Sequence, residues 1–449
     1  MGVLLPMLSE SKFEKAKSII RTLRKAGFEA VIVGGAVRDH CMGKCPEDFD
    51  IATDAIPDEV ERLFQRTIPV GKQFGVMLVL LGKDQFEVST FRKDLGYSDG
   101  RRPDAVSFAS IREDVLRRDF TINGLFWDPE SGEIRDFVGG QEDIRKKLIR
   151  CIGNPESRFE EDKLRVLRAI RFASSLNFDI ETETWKAVCD PRFSLSSVSR
   201  ERIRMEFVKI LTRGHVMNAL ELLRQSQLSQ YMLCPELFLD PILFPEFLAQ
   251  LFVADEFLSL ESALAFMAIG SEKLFIYDEK ASLFTLCPDF AKILDSFCKF
   301  LKALTFSRAA IEGQGDILRM IAQSFLVKNK DLPFLRKYLG HSFGKESLAV
   351  LRRMEQMKKV ADPLYPVLEK TLRDFEGKEL LPKPLLTGQH LIHQGWNPGP
   401  HFQEALAKAY DWQLSDDTLT QAMLLKRLVG EKWSGVESGV ESGDLGKLL

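Results

Sequence analysis

Apolar positions recur at helical spacing between residues 12 and 27, at Phe13, Ala16, Ile19, Ile20 and Leu23, and Gly27 follows Lys25 as a stop. The pattern then shortens. Residues 30–33 form a brief β-branched run punctuated by Gly34-Gly35, and residues 76–81 and 85–91 predict two strands around Gly82-Lys83-Asp84. The N-terminal part therefore predicts a mixed α/β unit. From about Arg158 the texture turns helical, through 164–176, 202–211 and 216–223, with few strand signals. Pro382 to Pro384 and the run Gly395-Trp396-Asn397-Pro398-Gly399-Pro400 interrupt the helices before a last helical pattern at 402–410. After Trp433, the repeat GVESGVESG offers no core-forming residues and predicts a disordered tail.

Composition adds limits. A chain of 449 residues with 45% apolar content can bury more than one core. No apolar run reaches the roughly 20 residues of a membrane-spanning helix, and the first residues lack a basic segment leading into a long apolar one, so we expect a cytoplasmic protein with no membrane partner. Seven scattered cysteines do not form the framework of a small secreted fold, and Cys41 and Cys45 lack a second ligand pair for zinc. A formal net charge of −3 gives no general affinity for nucleic acid, so any such partner must be held by a local patch.

The candidate chemistry lies in the α/β part. GGAVRD at 34–39 is followed by EDFDIAT at 47–53. Two glycines let backbone amides approach a phosphate closely. In Asp48-Phe49-Asp50, strand alternation puts both carboxylates on one face with the phenylalanine behind them, an arrangement suited to Mg²⁺. This outlines a two-metal phosphoryl-transfer site. Alone, Asp-x-Asp also describes a solvated turn.

The context extends the reading. GGAVRD with EDFDIAT resembles the signature of class II tRNA nucleotidyltransferases, the bacterial CCA-adding and poly(A) polymerase family of the polymerase β superfamily. RRDFTINGLFWD (117–128), GNPESRFEEDKLRVLRAIRFASSLNF (153–178), SRERIRMEF (199–207) and LLTGQHLIHQGWNPGP (385–400) resemble that family's later motifs in order. The resemblance implies an α+β architecture. Its polymerase β-like head (12–150) carries catalysis and is followed by a helical neck with a base-reading helix (151–230), a helical body (231–380) and a tRNA-binding tail (381–433), leaving 434–449 as the disordered end. It also implies Mg²⁺ as cofactor, with CTP, ATP and the tRNA acceptor end as partners. No obligate protein partner is evident.

An enzyme without a template must read the incoming base with side chains. Cytosine and adenine each show an amino donor beside a ring-nitrogen acceptor, so a carboxylate paired with a guanidinium complements both, while uracil and guanine invert the pattern. Asp162 and Arg165, three apart on an expected helix, lie about 60° apart around its axis and reach one ligand together; the resemblance assigns them this role. Arg168 stands ready to hold phosphate or orient Arg165, and Arg171 lies about half a turn from Asp162. The same residues also read as a ladder of ion pairs that includes Glu161 with Arg165. Leu164, Leu167 and Ile170 are core.

Arg117 and Arg118 are candidates for the triphosphate, and the resemblance favours Arg118. It also implicates Gly35 and Arg38 in nucleotide contact, with Asp39 fixing Arg38. Glu87 is either a third carboxylate near the metals or an exposed strand glutamate. Asn123 sets the turn after its motif, and Gly124 stands where the family usually has Ala. The Gly-, Asp- and Arg-rich segment 92–108 reads as a mobile surface loop and resembles the family's flexible loop, whose presence implies that addition of the terminal A is open to this chain.

The expected activity is template-independent addition of CCA, or its terminal A, to tRNA from CTP and ATP. Poly(A) synthesis is the alternative within the family, though the chain lacks a long basic extension and its pI is about 6.2. A catalytically inactive RNA-binding relative is the alternative of another class, opposed by the intact Asp48 and Asp50. A phosphohydrolase would need a His-Asp dipeptide, which none of the six histidines forms. The basic residues Arg352, Arg353, Lys358 and Lys359 read as a solvated face or an RNA grip, and Trp396 and Trp412 as a small core or stacking platforms.

Overall fold

The computed structural model describes residues 7–95, 105–231, 259–270, 275–278, 283–326, 330–356, 364–396 and 399–430. Lys358, Lys359 and the expected tail at 434–449 lie outside them. Two compact units emerge: residues 1–263 with 295–308, and residues 264–294 with 309–449. Among the described residues no helix is long and apolar enough to cross a membrane.

In the first unit, α1 (Met7–Lys25) buries Ala16, Ile19, Ile20 and Leu23 and ends as Gly27 adopts φ +93°. A seven-stranded sheet follows. Its strands are β1 (Ala30–Val33), β2 (Asp50–Thr53), β3 (Thr67–Gly71), β4 (Val76–Leu81), β5 (Asp84–Thr90), β8 (Leu125–Trp127) and β9 (Ile134–Asp136), in the order β3-β4-β5-β2-β1-β8-β9. Only β2 and β5 pair in parallel; the other neighbours are antiparallel. Helices α2 (Gly35–Cys41), α3 (Pro57–Leu63), α4 (Ile111–Leu116) and α5 (Gly140–Lys146) connect and cover the strands. Val31, Val33, Ala52, Phe91, Val115, Phe126 and Ile152 form a buried cluster around β1, β2 and α4.

The segment expected as a loop at 92–108 is bounded by paired strands, β6 (Arg92–Leu95) and β7 (Ala105–Phe108), in the register Arg92↔Phe108 to Leu95↔Ala105. Residues 96–104 between them lie outside the described residues. At the small residue after RRDFTIN, an added Cβ on Gly124 would stand 2.9 Å from Val138, 3.0 Å from Val115 and 3.1 Å from Ile152. A methyl group here would require Val138 to shift and Val115 and Ile152 to give.

The helical region opens with β10 (Leu148–Ile149), which pairs in parallel with β11 (Asp179–Ile180). Around this pair stand α6 (Pro155–Glu161), α7 (Leu164–Leu176), α8 (Thr182–Val188), α9 (Arg200–Thr212) and α10 (Val216–Gln225). Leu164, Leu167 and Ile170 are buried as expected. The second unit is largely helical, with one antiparallel pair, Phe275–Asp278 with Leu283–Leu286, that the sequence texture did not announce. Near its end, Leu386, Leu391, Phe402, Ala405, Ala409, Leu424 and Leu428 form a core against which Trp396 and Trp412 pack. Lys408 and Arg427 lie over the Trp412 ring, at 5.5 and 4.4 Å. Arg336, 1% exposed, donates to the carbonyls of Glu379 (3.1 Å), Leu380 (2.8 Å) and Leu414 (3.0 Å) and pairs with Asp417 at 2.6 Å.

Candidate active site

Parallel pairing of β2 with β5 in the register Ile51↔Val88 sets Asp50, the first residue of β2, beside Glu87 in the middle of β5. Ile51 and Val88 point into the core, so both carboxylates point the other way. Phe49 is buried, with its ring 5.4 Å from that of Phe13, and Asp48 is exposed. Exposure alternates along Asp48-Phe49-Asp50, exposed, buried, exposed, although Asp48 precedes the strand, which begins at Asp50. The Asp50 side chain touches solvent, yet protein packed around it removes much of its hydration. That loss, with the charges of Glu87 and Asp48, pushes its pKa up to about 6 against the opposing pull of Arg118 and Lys12. Lys12 forms an ion pair with Asp48.

The glycine turn lies beside Arg118. Gly34 holds φ +70° and ψ −131°, a conformation open to glycine, and a Cβ there would lie 3.9 Å from Arg118 Nη1. Both Arg117 (Nε 2.9 Å, Nη2 2.7 Å) and Arg118 (Nε 3.1 Å, Nη2 2.9 Å) grip Asp114, which is 1% exposed. Burial works to raise the Asp114 pKa, but the two guanidinium groups hold it below the usual carboxylate range. Asp114 thus fixes Arg118 on the glycine-turn side.

Arg38, next to Gly35 and its neighbour, donates twice to Asp39 Oδ1 (2.9 and 2.8 Å) and once to Asn123 Oδ1 (3.0 Å). Asn123 donates in turn to Asp119 Oδ1 at 3.2 Å, and Arg168 holds Asp119 Oδ2 through Nε (2.9 Å) and Nη2 (2.5 Å). Burial tends to raise the Asp119 pKa. The Arg168 charge and the hydrogen bonds from Arg168, Asn123 and the Phe120 amide outweigh it and lower the value to about 2. Arg168 is thus paired with Asp119. Arg171 lies against Glu206, with Nε 2.5 Å from Oε2 at an angle that makes an ion pair without a hydrogen bond.

The expected base-reading helix is corrected. Asp162 and Arg165 are not on one helix: α6 ends at Glu161, Asp162 is extended at φ −148° and ψ 101°, and α7 begins at Leu164. Their side chains are therefore not set about 60° apart around a common helix axis. The break has a local cause, since Asp162 Oδ1 accepts the Leu164 amide at 3.1 Å and so competes with helical continuation. Arg202 on α9 clamps the Asp162 carboxylate with Nη1–Oδ1 at 3.0 Å and Nη2–Oδ2 at 2.7 Å. Arg165 is buried. It donates to Glu161 (2.7 Å) and to the carbonyls of Arg158 (2.8 Å) and Arg117 (3.0 Å). The Glu161–Arg165 pair of the alternative ladder is thus present.

Sequence reasoning missed Asp114, Asp119 and Arg202 as organisers. Asp119 and Arg202 lie inside RRDFTING and SRERIRMEF, whose recurrence in the family-like motifs was the available signal. Among the described residues no three His, Cys, Asp or Glu side chains stand as a complete metal-ligand cluster.

A model described as "Poly A polymerase head domain" matches residues 30–150, and one described as "Probable RNA and SrmB- binding site of polymerase A" matches 177–239. The CCA-adding enzyme of Bacillus velezensis is 49% identical over 222 residues, which are 49% of this chain and 56% of that protein. That of Bacillus subtilis is 48% identical over 220 residues, covering 49% and 55%. These matches therefore span about half the length of the curated relatives. In solved structures, the Bacillus stearothermophilus CCA-adding enzyme in complex with CTP is similar across 94% of this chain and 98% of its own, at 28% identity and a TM-score of 0.70. The Thermotoga maritima CCA-adding enzyme complexed with tRNA shares the fold over 93% and 95%, at 19% identity and a TM-score of 0.58. With its mixed sheet, its carboxylate edge and its helical continuation, the chain is similar to CCA-adding enzymes and carries a segment matching the poly(A) polymerase head domain.

Proposed function

We propose that this protein adds C, C and A, or the terminal A, to the 3′ end of tRNA from CTP and ATP without a template. The reading puts it in the cytoplasm with those substrates. The observation that carries it is the carboxylate edge: Asp50 beside Glu87, Asp48 one residue away from the strand, and Arg118 acting on Asp50 from the glycine-turn side. An all-oxygen set whose members repel one another fits a hard divalent cation, and Mg²⁺ commonly takes one or two carboxylates with substrate phosphates completing its shell. Members of this family use divalent metal ions, and we propose Mg²⁺ held by Asp48 and Asp50 with Glu87 beside them. When bound there, the ion supplies positive charge that eases loss of the 3′-hydroxyl proton and neutralises the departing pyrophosphate.

The chain's own groups do the rest. The tRNA 3′-oxygen attacks the α-phosphorus, a new P–O bond forms, the bond to the bridging oxygen breaks, and pyrophosphate leaves while the proton passes to solvent. Arg118, with the backbone at Gly35 and the Arg38 side chain, is assigned to the triphosphate. Asp162 and Arg165 are assigned to the base edge, with Arg168 and Arg171, paired with Asp119 and Glu206, assigned to the nucleotide beside them.

The test is incorporation of each labelled nucleotide, with Mg²⁺, into tRNA transcripts lacking CCA, ending in CC, or complete. Stopping after C, C and A supports CCA addition; extension of only the CC end by one A makes the enzyme A-adding. Unlimited A addition supports poly(A) polymerase, and no incorporation, or full activity in Asp50→Ala, sinks the proposal.

A further inference from the structure

Helix α1 precedes the segment matched by the head-domain model, which begins at residue 30, yet it reaches the carboxylate edge. Phe13 fixes it there. Its ring lies 5.4 Å from Phe49, the residue between the two aspartates, and stacks on Trp127 at 5.1 Å and 12°; Trp127 is also stacked with His40 at 4.0 Å. The position of α1 is thereby tied to that of Asp48-Phe49-Asp50. Lys12, the neighbour of Phe13, is left with its ammonium on Asp48 and its side chain one quarter exposed. Its charge also acts on Asp50.

We propose that Lys12 is a positioning residue that holds the Asp48 carboxylate in place of the divalent cation until nucleotide arrives, and then turns its charge to the triphosphate. The inference rests on the nucleotidyl-transfer reading of Asp48 and Asp50. Asp48, Asp50 and Glu87 crowd negative charge onto one edge, and Lys12 offsets part of it while no cation is bound. A divalent ion that takes Asp48 must displace the ammonium. The four-carbon stem lets Nζ swing a few ångströms, and the nearest new negative charge is the incoming triphosphate. Lys12 therefore opposes binding of the metal alone and favours binding of metal with nucleotide. A side chain that merely steadied α1 would affect both in the same sense.

Mn²⁺ binding to the full-length protein, followed by loss of the free-ion paramagnetic resonance signal, separates these effects. Wild type, Lys12→Gln, Lys12→Arg and Asp50→Ala are compared without nucleotide and with a CTP analogue whose α,β-bridge is unreactive. Lys12→Gln is expected to bind Mn²⁺ alone about three- to ten-fold more tightly, the effect of one unit charge near a divalent ion at a wet surface. It should bind the analogue with Mn²⁺ several-fold more weakly, while Lys12→Arg keeps both values near wild type. Unchanged or weaker binding of Mn²⁺ alone in Lys12→Gln overturns the proposal, and tighter binding in both conditions overturns the transfer to triphosphate. If Asp50→Ala holds Mn²⁺ as well as wild type, the carboxylate reading itself fails. If Asp50→Ala weakens binding while Lys12→Gln matches wild type, only the role of Lys12 falls.

Discussion

Asp162 is held on both oxygens by Arg202 and on one by its own chain two residues on, so its carboxylate plane is set before any base arrives. An acceptor fixed in this way can still take an amino proton but meets a carbonyl oxygen with repulsion, and mismatched polar groups of this kind discriminate strongly. Asp162→Ala is expected to raise incorporation of UTP and GTP relative to CTP and ATP by about 100-fold or more in the ratio of kcat/KM values. Arg202→Ala should shift the same ratio in the same direction by less. Both are read from single-nucleotide kinetics, and an unchanged ratio in both would refute base reading at Asp162. Gly124 makes a different demand. Its three close apolar neighbours leave no room for a methyl group, so Gly124→Ala should lower stability by about 1–3 kcal/mol, measured by urea denaturation. A neutral result would mean that Val138, Val115 and Ile152 yield freely.

Among the elements, α7 was legible because Leu164, Leu167 and Ile170 repeat at the helical period, and β4 and β5 because their apolar runs flank a glycine turn. Strand β3 was not, since its middle residues are exposed at the sheet edge and carry no alternation to detect. The Asp48–Asp50 pair could be read locally. Glu87 could not be decided without the register that sets it beside Asp50, and the partners of Asp162 and Arg168 lie 40 and 49 residues away in sequence. Asp119, which ties α7 to the turn after α4, has its pKa lowered from 3.8 to about 2, so it favours the folded state by about 2 kcal/mol above pH 4. Because the folded value is the lower one, that contribution fades as pH falls from about 4 through 2. The stability gap between wild type and Asp119→Asn in denaturant titrations should be constant near neutrality and shrink across that window. A gap undiminished at pH 2 would contradict the assignment.

For the whole molecule, 62 basic and 65 acidic residues leave a formal charge of −3, so the proposed tRNA partner must be held against a weak overall repulsion by local basic surface. Binding of a CCA-lacking transcript should weaken steeply with salt, with a log–log slope of about −3 or steeper, in filter-binding titrations. A flat response would argue that RNA is not gripped through its phosphates. The buried Arg336 has a separate consequence for engineering. Its guanidinium is satisfied by carbonyls at 379, 380 and 414 and by Asp417, acceptors that straddle the expected border between body and tail. A chimera spliced at residue 380 would strand a buried cation unless the donor segment brought equivalent acceptors with it, and such a hybrid should express as an unstable protein. Tail exchange in this chain is therefore a transplant that must carry its own counter-charges, with the cut placed upstream of the helix that bears Arg336.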